Sequence, residues 1–188
     1  MTDVPVIGVD TGFRWTAAVL RVGGEAVNGF TLGPLNGNGI RDPNANDGMS
    51  AAALARYVSR IGTHLDQLYD LAEAYGHPRV AVEVPNRPKG YRQLPLRAWL
   101  VTHTVAWAVV GRYDGVFLVP PDHNGARHQP SRGGDGDMGE HYPKPLCRRR
   151  PGGWLPNEAP RHARDHERAA YDVAGVALEA LSTDRGRP

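Results

Sequence analysis

Residues 5–12 read "PVIGVDTG", an apolar run that ends in a single acid, Asp10, and then turns at Thr11-Gly12. A carboxylate at the end of a buried strand costs several kcal/mol unless a cation or a set of donors compensates it. Asp10 therefore either caps the bend at Thr11-Gly12, as turn aspartates do, or belongs to a site. The rest of the chain decides between the two.

Two further acids stand where the local pattern is apolar. Glu83 lies in the short run "RVAVEV" at 79–84, and Asp172 lies in "RDHERAAYDVAGVALEAL" at 164–181 among Ala169, Val173, Val176 and Ala177, which places it on the side expected to face a sheet. Asp165 shares that face and His166 lies beside it. Taken singly, each acid has a plain explanation: a turn, an edge pair or a helix cap. Taken together, carboxylates gathered without a cation would repel one another and would have to stay protonated. Divalent metal ions resolve that conflict. Mg²⁺ prefers oxygen ligands and keeps several waters, so acids from strands and a helix suit it better than Zn²⁺, which favours His and Cys. Two such ions about 3.5 to 4 Å apart can activate a water and stabilise the leaving oxygen of a phosphodiester.

The elements that carry these acids follow from periodicity. Residues 4–10, 15–22 and 25–32 are apolar or alternating runs separated by Gly12-Phe13-Arg14 and Gly23-Gly24, the pattern of an antiparallel three-strand meander. A Gly/Asn/Pro loop at 33–48 offers Asn46, Asp47 and Ser50 as caps for a helix running to about Tyr75. Leu54, Val58, Ile61, Leu65, Leu68, Ala72 and Tyr75 recur every three or four residues along it, a single stripe that packs on the sheet. The long crossover before 79–84 predicts a strand parallel to the first. A helix over Leu96 to Gly111 and a strand at 115–119 follow. Residues 120–161 have no periodicity and read as a mobile functional arm or disorder. A last helix runs from near Ala163 to about Leu181.

Composition bounds the alternatives. At 188 residues the chain reads as one domain, and its 40% hydrophobic and 22% charged residues are ordinary for a water-soluble protein. The single cysteine, Cys147, excludes an internal disulfide and a cysteine-based zinc site, and fits a reducing cytoplasm. The start has no secretory pattern, and the longest apolar run, Trp99 to Gly111, is broken by Thr102, His103 and Thr104, so no membrane span is expected. The net charge is only +2, but Val84 to Tyr113 contains Arg87, Lys89, Arg92, Arg97 and Arg112 and no acid, and Arg148, Arg149 and Arg150 form a second cluster. Such patches either follow a phosphate backbone or are a solvated face.

"IGVDTG", "VAVEVP" and "HERAAYDVAGVAL" resemble the first-strand motif, the fourth-strand glutamate and the last helix of the RuvC-type Holliday junction resolvases, in the ribonuclease H-like superfamily. The resemblance covers most of the chain outside 120–161. It implies an α/β, ribonuclease H-like mixed five-stranded sheet, three strands antiparallel and two parallel, flanked by helices. It also implies a two-metal nuclease using Mg²⁺, or Mn²⁺ in its place, acting as a homodimer on branched DNA. The ligands it implies are Asp10, Glu83 and Asp172, with Asp165 and His166 competing for a fourth place. The family commonly sets its last acid three residues after a His or Asp; here that position, counted from His166 or back from Asp172, is Ala169. DNA contacts are expected from Arg87, Lys89, Arg92, Arg148, Arg149 and Arg150. Tyr91 is the nearest aromatic to stack on unpaired bases, or else is structural.

Two other readings compete. A catalytically degenerate member of the same fold would only bind DNA or a partner. An actin-like or sugar-kinase-like domain also opens on a strand with Asp and Gly, but needs two lobes and a second Gly-rich phosphate motif that 188 residues do not contain.

Overall fold

The computed structural model describes residues 4–34, 49–85, 96–120, 142–147, 150–160 and 165–184. The elements in order are β1 (Val6–Thr11), β2 (Thr16–Val22), β3 (Glu25–Leu32), α1 (Ala51–Glu73), β4 (Arg79–Glu83), α2 (Leu96–Val110), β5 (Phe117–Val119), α3 (Lys144–Cys147) and α4 (Asp165–Asp184). Among the described residues they form one five-stranded sheet in the order β3-β2-β1-β4-β5. β1, β2 and β3 pair antiparallel, and β1 pairs β4, and β4 pairs β5, in parallel. No described helix is long and apolar enough to cross a membrane.

The meander forms because Gly23, at a φ of 58°, supplies the left-handed turn that joins β2 to β3. α1 starts where Ser50, in extended conformation, accepts a hydrogen bond from the Ala53 amide on its side chain, so the cap falls on the last of the three expected positions. Its buried stripe includes Ile61, Leu65, Leu68 and Ala72, and also Tyr57, whose hydroxyl donates to the Leu32 carbonyl and is hydrogen-bonded to the Thr16 hydroxyl. Tyr75, expected to close the stripe, is exposed because α1 has already ended at Glu73.

One face of the sheet, carrying Ile7, Val9, Leu20, Leu32, Val80 and Val82, packs under α1 and α2 as a continuous core. The other face lies under α4 in two smaller clusters. One joins Ala17, Val19 and Ala26 to Tyr142, Leu146 and α4, and the other joins Val6, Ala81 and Val119 to Val173, Ala174 and Ala177. Residues 142–147 and 150–160 fall in the stretch whose composition reads as a mobile arm, yet they are packed. Tyr142 and Leu146 are buried against α4, and Asn157 forms a parallel bridge with Thr31 at the edge of β3. The missing signal is periodicity, because these residues are held by single anchors and by hydrogen bonds rather than by a repeating apolar face.

Candidate active site

Strand alternation builds the site. Successive side chains of β1 point to opposite faces, so Val6, Gly8 and Asp10 share the α4 face while Ile7 and Val9 enter the core below. On β4, Ala81 and Glu83 share that same α4 face by the same rule. Val9 is registered with Val82, so one step further along the parallel ladder sets Asp10 beside Glu83. The Thr11 hydroxyl donates to the Glu83 carbonyl at 3.0 Å and ties the two strand ends together past the ladder.

α4 is drawn down onto this edge at Gly8. A Cβ there would lie 2.0 Å from the Ala170 carbonyl oxygen and 2.6 Å from the Ala174 amide nitrogen, so only glycine permits the approach. The helix start then meets the strand end, and His166 Nδ1 lies 2.7 Å from Asp10 Oδ2. Burial opposes a charged imidazole at His166, but the hydrogen bond and charge of Asp10, with the charges of Asp165 and Glu83, outweigh it and raise its pKa above the usual histidine value. Asp10, Glu83 and Asp165 thus all act electrostatically on His166 near the carboxyl ends of β1 and β4. Asp165 is the most open of them, with its side chain 87% exposed and an ion pair to Arg168 at 3.4 Å.

Asp172 stands apart from this group. The sheet meets α4 at Ala170 and Ala174, and Asp172, midway between them, is turned off the sheet rather than toward it. It lies six residues, or ~9 Å along the helix, from His166. The Tyr142 hydroxyl donates to its carboxylate at 2.8 Å, and Arg21, registered opposite Val6 at the far end of β1, acts on it electrostatically. Burial pushes its carboxyl up to about 7, against the opposing effects of Tyr142 and Arg21. Its apolar neighbours in sequence reflect cover by Tyr142, not contact with the sheet. Asp172 is thus not brought to the Asp10–Glu83 edge, whereas Asp165 at the helix start acts on His166 there; counting back three residues from Asp165 reaches His162. His162 lies outside the described residues.

Of the expected DNA contacts, Arg87, Lys89, Tyr91, Arg92, Arg148 and Arg149 also lie outside the described residues; Arg150 is described and exposed. Sequence reasoning missed Glu167, a carboxylate only 1% exposed in the first turn of α4. It is flanked by charged residues and reads as solvated, and no sequence pattern announces the donors that surround it.

Among the described residues no three His, Cys, Asp or Glu side chains form a ready-made metal cluster. The donor chemistry nevertheless fits a divalent cation: two strand carboxylates on one face, a third acid at the helix start, and an imidazole whose raised pKa records the negative field they create.

No family model and no curated protein matches the chain. Solved structures do. The structure of T. thermophilus RuvC in complex with a Holliday junction substrate aligns with a TM-score of 0.52 over 96% of this chain and 96% of that chain, at 17% identity. A further structure of Thermus thermophilus RuvC aligns with a TM-score of 0.49 over 96% of this chain and 97% of that one, also at 17% identity. With its mixed sheet in the order β3-β2-β1-β4-β5 and its helices on both faces, the chain has a RuvC-type, ribonuclease H-like fold.

Proposed function

We propose that the protein is a metal-dependent endonuclease that cuts branched DNA, with four-way junctions as the principal substrate. The observation that carries this reading is the placement of Asp10 beside Glu83, with His166 hydrogen-bonded to Asp10, at one edge of a RuvC-type sheet. The similar T. thermophilus protein is seen in complex with a Holliday junction substrate.

In this reading Asp10, Glu83 and Asp165, with His166 and His162 as the nitrogen candidates, hold Mg²⁺ or Mn²⁺. The bound ions supply an activated water and stabilise the departing phosphodiester oxygen. The chain's own contributions follow from geometry. Thr11 fixes the distance between the two strand acids. The hydrogen bond of His166 Nδ1 to Asp10 orients that carboxylate at the strand end. Gly8 sets how near the helix start comes to the strands. Arg150, with Arg87, Lys89, Arg92, Arg148 and Arg149, serves the phosphate backbone, and Tyr91 the bases.

Paired cuts need two sites, because one carboxylate group cuts one strand of a nearly two-fold symmetric junction. A C₂ dimer supplies them. Leu96, Leu100 and Trp107 support α2 as its interface: they recur along one side of the helix and are 70%, 48% and 52% exposed.

Cleavage of a four-way junction with and without Mg²⁺ tests the reading. Asp10→Asn and Glu83→Gln should each lose several orders of magnitude in rate while junction binding survives. A fully active Glu83→Gln would refute the assignment. Binding without cleavage in the wild-type chain at any Mg²⁺ or Mn²⁺ concentration would leave the DNA-binding, non-catalytic reading.

A further inference from the structure

The first turn of α4 holds a buried carboxylate that the site chemistry does not use. Glu167, 1% exposed, lies between His166 and Arg168. An ionised carboxylate in such a place needs donors, and three reach it. The Thr31 hydroxyl donates to Oε1 at 3.0 Å, the Gly152 amide donates to Oε2 at 2.7 Å, and Asn157 Nδ2 donates to Oε1. Thr31 belongs to β3, while Gly152 and Asn157 belong to the segment 150–160.

That segment is fastened to β3 by contacts of its own. The Glu158 amide donates to the Thr31 carbonyl at 2.9 Å, and the Glu158 carboxylate accepts from the Gly33 amide and pairs with Arg60 of α1. Trp154 lies over Gly29, where a Cβ would come within 2.8 Å of the indole. The segment is a strap held at several points whether or not Glu167 is present. What Glu167 adds is a tie from this fixed strap, and from β3, to the start of the helix.

The start of the helix needs one. The first four amides of a helix lack intrahelical partners, and helix ends fray. The apolar anchors of α4 to the sheet begin only at Ala170. His166 therefore sits in a turn held by polar contacts rather than by apolar packing on the sheet, where an error of about 1 Å would separate it from Asp10.

We propose that Glu167 is a positioning residue that locks the first turn of α4 to β3 and to the strap, so that His166 meets Asp10 in one geometry. The inference rests on the functional reading above, and its test has a part that does not. Glu167→Gln keeps the shape but turns an amide donor toward donors. In the full-length protein, ¹⁵N NMR of the His166 ring should show the Nδ1 hydrogen bond to Asp10 weakened or averaged in this variant. Single-turnover junction cleavage should fall about 10- to 100-fold with KM within about twofold, the mark of a misplaced group rather than of lost substrate binding. In a His166→Ala background the same change should cost less than about twofold more.

Thr31→Val, which removes one donor, should move the His166 signal in the same direction by less, and it carries the test if Glu167→Gln does not fold. An unchanged His166 signal, with an unchanged rate measured well below the melting temperature, would reduce Glu167 to a stabilising contact and overturn the proposal. If the wild-type chain cuts no junction, the functional reading fails by itself, and the His166 signal still decides the positioning role.

Discussion

The two faces of the sheet are filled differently. Under α1 and α2 the side chains are long: Ile7, Leu20, Leu32, Ile61 and Leu65 are each at most 2% exposed and belong to one cluster. Under α4 small residues are mixed in: Gly8, Ala17, Ala81, Ala170, Ala174 and Ala177 lie beside Val6, Val19, Val119 and Val173 in two smaller clusters. A fully buried Leu or Ile contributes about 1.5–3 kcal/mol, and an alanine much less, so the first face carries most of the stability. The second face gives up apolar area and gains proximity: a helix resting on glycine and alanine comes close enough for its first turn to hydrogen-bond a strand carboxylate. The larger core and the candidate site thereby lie on opposite sides of one sheet.

This division can be broken first on the stabilising side. Leu65→Ala should cost about 3–5 kcal/mol of unfolding free energy in denaturant titrations while leaving the junction-cleavage rate of the folded fraction within about twofold. A collapse of activity in the folded fraction would mean that the two faces are coupled. Gly8→Ala should do the reverse in kind. Its Cβ overlaps the Ala170 carbonyl, so α4 must lift. A loss of about 1–3 kcal/mol should come with a fall in cleavage of about 10-fold or more. An intact rate would show that the close approach is not what seats His166.

Asp172 sharpens the comparison from a third direction, since it lies under α4's outer cover and away from the site. The folded protein holds its proton up to about 7, while the unfolded chain releases it near the ordinary carboxylate value. Stability should therefore decline as pH rises through that interval and level off above it. Asp172→Asn removes the decline, so its melting temperature relative to wild type should rise between pH 4 and 7 and then stay level, with an advantage at pH 8 of about 1 kcal/mol or more. Cleavage should survive; its loss would return Asp172 to the site. The smallest effect belongs to Ser50→Ala, which uncaps α1 far from the acids and should cost ~1 kcal/mol with no change in cleavage.

The sheet was legible because its signals are local. Alternation, Gly12-Phe13-Arg14 and Gly23-Gly24 mark the meander, and a 23-residue helix before β4 makes a crossover and hence a parallel pair. That Asp10 and Glu83 end neighbouring strands was legible for a related reason, since each acid interrupts an apolar run in strands whose parallel pairing the crossover implies. Asp172 was expected to face the sheet and does not, because helical periodicity reports that a residue is covered, not what covers it; the cover is Tyr142, thirty residues away in a stretch without pattern. Glu167 was illegible for the converse reason. Its burial depends on Thr31, Gly152 and Asn157, three donors that only the folded chain assembles.

The strap over β3 also governs how this protein meets copies of itself in concentrated solution. β3 is an outermost strand of eight residues, the kind of edge on which a foreign strand can add and seed aggregation. Here the edge is already spoken for at one end by the Thr31–Asn157 bridge and the Glu158 amide. Along it, the Gly29 amide is taken by the Asn28 side chain at 2.7 Å, and an irregularity at Leu20/Arg21 interrupts the regular ladder beneath. The opposite edge, β5, is only three residues long. Among the described residues, β3 and β5 therefore offer an incoming strand no long regular row of open backbone groups.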